Sequence, residues 1–156
     1  MDEIAVRWGS VEDGGAIRRV LGLNSIPERN VLEKAFIVAQ EKGEILAVGS
    51  YLIAREHLVL GSLAVDPWVG KRRFVVSLYT GAGRLAREMG LRKVWTERDE
   101  HREYLLEAGY HRHGGGWGLG TTRAFGNYER LPERGWRRIL SLWSAESVPF
   151  FRAFRA

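Results

Sequence analysis

Between Leu63 and Gly90 the chain reads LAVDPWVGKRRFVVSLYTGAGRLAREMG. Leu63, Ala64 and Val65 form an apolar strand that ends at Asp66-Pro67, because proline cannot donate to a ladder. A short basic loop, Gly70-Lys71-Arg72-Arg73, follows. From there the apolar residues fall at Val75, Leu78, Tyr79, Ala82, Leu85, Ala86 and Met89, one face of a long helix that Gly90 stops. A helix with such a face lies on a sheet. The strand, cationic turn and helix N-terminus also make a place for phosphate, since the first helical N–H groups lack partners and the dipole favours negative charge.

The flanking segments supply the sheet. Residues 4–8 read as a first strand, and Ser10 with Glu12-Asp13 marks the start of a helix running to about Leu21, ended by Gly22 and Asn24. Residues 25–30, containing Ile26-Pro27, read as a loop, with a helical turn at 31–34. Strands at 35–40 and 45–53, joined by the four-residue turn 41–44, predict a hairpin, and a turn at Glu56-His57 returns the chain as strand 58–65. Residues 93–96 form a strand that a strand-helix-strand connection places parallel to the one before the long helix. Residues 100–108 read as a further helix with Tyr104, Leu105 and Ala108 inward. The glycine-rich run 111–120 reads as two edge strands around a turn, completed at 121–125. Beyond Pro132 a helix buries Trp136, Ile139, Leu140 and Trp143, and Pro149 breaks it before Phe150, Phe151 and Phe154. This aromatic tail needs cover from the sheet or from a second subunit, which allows a homodimer.

The layout of Val65-Asp66-Pro67, basic loop and long helix resembles the core of the GNAT N-acyltransferase superfamily. That resemblance covers roughly residues 4–110. It implies a mixed, largely antiparallel α/β sheet of six or seven strands with helices on both faces, here with an extra C-terminal helix. The expected organisation is a GNAT-like domain at 1–128 and a C-terminal helical extension at 129–156, packed on the same domain or on a second subunit. It also implies transfer of an acetyl or other acyl group from acetyl-CoA to a small-molecule or peptide amine. In the family the loop pattern is Arg/Gln-x-x-Gly-x-Gly/Ala, and this chain has Gly70, Arg73 and Val75 in the three fixed places. The resemblance assigns acyl-CoA to Leu63, Val65, Gly70, Lys71, Arg72, Arg73, Phe74, Val75 and Val76. In it the cations partly replace the close backbone approach that glycine allows. The competing reading of Lys71-Arg72-Arg73 is a solvated surface turn.

For catalysis the resemblance points to Glu97, after the strand that follows the long helix, as the group that takes a proton from the amine. The alternative is a surface ion pair with Arg92 or Arg98. The family's Phe-Tyr pair falls on Tyr104 and Leu105, one residue out of register, so Tyr104 is either the acid for the departing thiolate or a packing aromatic. The family's asparagine falls on or near Arg98. His111 and His113 share a strand face but supply too few ligands for a metal. His57 reads as a turn residue. The run 114–120 opens no helix and is not a dinucleotide fingerprint.

Composition sets the outer limits. The chain has 156 residues, the size of one ordinary domain, and lacks cysteine, which excludes disulfide and thiolate chemistry. No stretch of about eighteen apolar residues exists to span a bilayer. The acidic N-terminus MDEIAVRW lacks a signal-peptide pattern, so a cytoplasmic location is expected. Twenty of the 24 basic residues are arginine and the formal charge is +5. Such a surface suits anionic partners, and a phosphate ligand at the helix N-terminus is a better-placed use of it than nucleic acid. A non-catalytic GNAT-fold module, binding acyl-CoA or pairing through its C-terminal aromatics, is the other function class.

Overall fold

The structure is a computed structural model that describes residues 3–26 and 35–120. One sheet of seven strands has the order β1-β2-β3-β4-β5-β7-β6. The strands are β1 (Ala5–Trp8), β2 (Phe36–Glu41), β3 (Glu44–Ala54), β4 (His57–Val65), β5 (Lys93–Thr96), β6 (His111–His113) and β7 (Gly116–Gly120). Every neighbouring pair is antiparallel except β4 and β5, which the long helix α2 (Lys71–Glu88) connects in parallel. Helix α1 (Gly14–Leu23) covers one face. Ile17, Val20 and Leu21 pack there with Phe36, Val38, Val48, Val59 and Trp95. On the other face α2 and the short α3 (Arg102–Glu107) bury Phe74, Leu78, Tyr79, Leu85 and Leu105 against Ile37, Leu58, Leu60, Val94 and Trp117. The expected GNAT-type α/β sheet with helices on both faces is therefore observed.

Local chemistry explains the joints. Asp13 accepts from the Ser10 backbone N–H at 2.7 Å and from both Arg7 terminal nitrogens at 2.6 and 2.8 Å, tying the start of α1 to β1. The hydrogen bond from Arg7 holds the buried Asp13 carboxyl well down, at about 2. Between β2 and β3 only Lys42 and Gly43 leave the ladder, at φ of 53° and 78°. That two-residue primed turn replaces the expected four-residue one, because Glu41 pairs with Glu44.

Three further expectations change. Lys71, Arg72 and Arg73 form the first turn of α2, capped by Gly70, and not a loop before it. His57 opens β4 opposite Ala54 and does not sit in the turn. The glycine-rich run gives one edge strand, β6, while β7 is interior, between β5 and β6. In β7, Trp117 and Leu119 face α2, whereas Gly116 and Gly118 face Trp95 and Lys93. A Cβ on Gly116 would come within 2.6 Å of the Trp95 ring, and one on Gly118 within 2.7 Å of Lys93 Cε. The expected features at 31–34, 121–125 and 129–156, including the C-terminal extension with its aromatic tail, lie outside the described residues.

Candidate active site

The site begins with an irregularity in β4. Leu60 faces Tyr51 and Leu63 faces Gly49, so Gly61 and Ser62 both stand against Ser50. This is a β-bulge, and it reverses which residues of β4 face α2: Leu58 and Leu60 before it, Leu63 and Val65 after it. The Ser50 hydroxyl accepts the Ser62 N–H at 3.0 Å, satisfying a donor that the bulge takes out of the ladder. Pairing with β5 stops at the same level. His57, Leu58 and Val59 pair with Lys93, Val94 and Trp95, after which Thr96 pairs only with Trp117 of β7. The upper half of β4, Leu60 to Val65, thus runs on without β5 beside it.

A cavity of about 440 Å³ lies along this open half. Leu63 and Val65 of β4 and Val75 of α2 give it apolar walls, with Val69 and Pro67 from the connecting loop. Lys71, in the first turn of α2, lines it too, as do Arg98, Glu100 and His101, which follow β5. The loop is held by Asp66, which accepts from the Trp68 N–H at 2.9 Å and from Arg19 of α1 at 3.0 Å. The Trp68 backbone bond, followed by Arg19, keeps the Asp66 carboxyl below the usual carboxylate range despite its burial. Asn24, just after α1, donates to the Val65 carbonyl at 3.0 Å. The first turn of α2 is thus oriented by α1 through two side chains, and the Trp68 ring on the same loop is 87% exposed.

Beyond β5 the polar groups form a wall. The Arg98 Nε donates to the Gly61 carbonyl at 3.4 Å, one terminal nitrogen to the Ser62 hydroxyl, and the other to Glu100 at 2.9 Å. The guanidinium therefore sits in the notch left by the bulge. His101 is buried, and its Nδ1 lies 2.7 Å from the Tyr79 hydroxyl, while the Tyr110 hydroxyl donates to the Tyr79 carbonyl at 2.8 Å. Burial is the main cause that brings the His101 imidazole down to about 4, so it is neutral at neutral pH. Burial also pushes the Tyr79 phenol far up, and it stays protonated.

The residues expected at the site separate into groups. Leu63, Val65, Lys71 and Val75 line the cavity, and Gly70 caps the helix that points into it. Phe74 belongs to the core beneath α2. Arg72 and Arg73 turn away: Arg72 pairs with Glu107 at 2.7 Å and Arg73 with Glu41 at 2.7 Å. With Val76 they line a more open groove of about 460 Å³ on the outer side of α2. Glu97 is exposed at the end of β5, and Arg92 and Arg98 pair instead with Glu56 and Glu100. Tyr104 is half-buried on α3, packed on the core with its ring 5.7 Å from that of His101. Leu105, in the family's tyrosine place, is fully buried. Asn24, Asp66, Glu100 and His101 were not anticipated as site residues. Among the described residues no group of three or more potential ligands could hold a metal ion, and no helix is long and apolar enough to cross a membrane.

No family model matches the chain, and no curated protein matches it. Solved structures do. The ribosomal-protein-S18-alanine N-acetyltransferase from Escherichia coli superposes with a TM-score of 0.60 at 14% identity, over 82% of this chain and 100% of that one. A GNAT family acetyltransferase from Brucella melitensis in complex with acetyl-CoA gives 0.57 at 17% identity, over 83% and 93%. The diaminobutyrate acetyltransferase of Paenibacillus lautus, in complex with 2,4-diaminobutyric acid and coenzyme A, gives 0.54 at 16%, over 71% and 80%. Sheet order, the split after the bulge and these superpositions agree: the chain has the GNAT fold.

Proposed function

We propose that the protein is an N-acyltransferase that takes an acetyl or related acyl group from acyl-CoA and gives it to an amine. The observation that carries this reading is the split of β4 from β5, with a cavity there that the upper half of β4, the first turn of α2 and the residues after β5 all line. The residues present suit the donor. Its phosphates match the unpaired N–H groups of an 18-residue helix and the Lys71 ammonium. Its amide-bearing arm matches the edge of β4 that, among the described residues, has no strand beside it, as an added strand does. Leu63, Val65 and Val75 suit its apolar portions. Arg72 and Arg73, each on a carboxylate, contribute field more than contact.

In the reaction the amine nitrogen attacks the thioester carbon, the C–S bond breaks, and the proton lost by nitrogen is balanced by one gained at sulfur. We assign the first transfer to Glu97, beside the split at the end of β5, and the second to Tyr104. Replacing either by its isostere, Glu97→Gln or Tyr104→Phe, should lower turnover by about 10²-fold and leave CoA affinity nearly unchanged. Unchanged rates in both remove these residues from the mechanism.

Acetyl-CoA at a hundred times its dissociation constant should stabilise the fold by about 2.7 kcal/mol and raise the melting temperature by roughly 5–10 °C. No shift at millimolar acetyl-CoA refutes the reading. Leu105 in the tyrosine place favours a second one, a module that binds acyl-CoA without transferring the group. Thiol release in the presence of amines separates the two: a melting shift without release leaves the binding module.

A further inference from the structure

The bulge in β4 leaves a gap that the Arg98 side chain fills, and the way it is held constrains what it meets. Its Nε and one terminal nitrogen rest on neutral acceptors of β4, the Gly61 carbonyl and the Ser62 hydroxyl, which fix the plane of the guanidinium. Its charge partner is Glu100, 2.9 Å away. The two are unequal: the Arg98 side chain is 18% exposed and the Glu100 side chain 57%. A held cation is thus covered by a carboxylate that keeps most of its contact with water. Exchanging one carboxylate for another conserves the charge balance, so a substrate carboxylate can displace Glu100 without leaving Arg98 bare. The position gives this exchange a purpose. Lys71 and Arg98 line the same cavity, and Arg98 is held at Gly61-Ser62, just ahead of Leu63 and Val65 on β4, so a donor whose phosphates lie at the N-terminus of α2 and whose arm follows β4 brings its acyl end toward the guanidinium, where the amine must also arrive.

We propose that Arg98 is a specificity residue that binds a carboxylate carried to the split by the acyl chain or by the amine, with Glu100 as its internal stand-in. The proposal rests on the acyl-CoA reading above. The planar fork fixes the guanidinium on β4 through two of its nitrogens and presents the third to the carboxylate, which an ammonium in the same place would not do.

Affinities of the parent, Arg98→Gln and Glu100→Gln test it in two arms. The first compares succinyl-CoA with acetyl-CoA. The second compares 2,4-diaminobutyrate with 1,3-diaminopropane, the same amine without its carboxylate, on protein loaded with CoA. In at least one arm the carboxylate-bearing member should bind about tenfold more tightly to the parent, and the arm that shows this identifies the source. The preference should vanish in Arg98→Gln and grow severalfold in Glu100→Gln, which removes the competitor. Arg98→Lys, keeping charge without the fork, should lose most of it and serves if the neutral variant fails to fold.

Equal binding within both pairs, a preference that survives removal of the guanidinium, or variants that move both members of a pair alike would each overturn the proposal. In all three cases acetyl-CoA still binds and the donor reading stands. Failure of every CoA ester to bind the parent overturns that reading and this proposal together.

Discussion

β4 is two strands in one. Its lower half, His57 to Val59, is paired on both sides, by β3 and β5, and its side chains are locked between α1 and α2. Its upper half keeps β3 but loses β5, and its α2-facing residues Leu63 and Val65 border the cavity. Both halves are apolar and both lie under the same helix. What separates them is one extra residue at Gly61-Ser62, which bends the strand and turns a sheet into a cleft. Stability should therefore be concentrated below the bulge and ligand response above it.

The largest expected effect tests that division directly. Leu58 is fully buried in the closed half, and Leu58→Ala should cost about 2–5 kcal/mol of stability by denaturant titration. Leu63, 8% exposed, already faces a cavity, so Leu63→Ala forfeits fewer contacts and should cost less. The ligand response should be reversed, with acetyl-CoA binding weakened in the Leu63 variant and retained in folded Leu58 variant. Equal stability losses with unaltered binding would show the upper half to be ordinary core.

A pH series sharpens the comparison from the opposite wall of the cleft. His101 holds its imidazole at about 4 in the fold. An unfolded histidine titrates near 6.5, so between those values the unfolded chain binds more protons and stability must fall as pH falls. The loss begins near pH 6.5, reaches about 3 kcal/mol, and is complete near pH 4. His57, also lowered by burial and by Lys93, contributes in the same window, so the slope must be compared with that of His101→Gln. The carboxyl of Asp13 acts later, its stabilisation being present above about 3.8 and lost as pH falls toward 2. Identical slopes in parent and His101→Gln would mean that the wall of the cleft is wetter than its packing implies.

How much of this was readable beforehand follows from the same residues. The order of elements and both faces of the sheet were legible, because the apolar stripes of α1 and α2 and the strand runs are long. The bulge was not. In HLVLGSLAV the apolar residues on both sides of Gly61-Ser62 face α1 and α2 alternately, so a strand buried on both faces carries no alternation from which a reversal could be seen. The alternation of Gly116, Gly118 and Gly120 with Trp117 and Leu119 is a strand pattern, but glycine-rich strands carry no sign of an interior place in the sheet. The interior position of β7 depends on Trp95 and Lys93 needing the room that glycine leaves, a tertiary fact. Glu100 and His101 carry no local signal, since the notch that gives them a role is made by a strand forty residues earlier in the chain.

The smallest expected effect concerns the first turn of α2, where charge alone predicts equality and direction predicts a difference. Lys71 and Val75 are four residues apart and share a helix face, the one toward the cavity. Arg72, Arg73 and Val76 lie around the helix from them, and the two arginines already hold Glu107 and Glu41. A field effect would make the three cations nearly interchangeable, because exposed charges a few ångströms apart act on a bound phosphate through the same screened potential. A contact effect would single out Lys71, whose ammonium can reach the phosphates that the helix N-terminus receives. We expect Lys71→Ala to weaken acetyl-CoA about tenfold, and Arg72→Ala and Arg73→Ala to change it less than threefold. The arginine variants should also leave stability within about 1 kcal/mol, the usual range for exposed ion pairs. Titrations at low and moderate salt distinguish the causes, since a shared field fades with salt in all three variants while a contact keeps Lys71 apart. If the three variants lose equal affinity and converge as salt rises, the donor is held by the charge of the turn and not by the face that the helix presents.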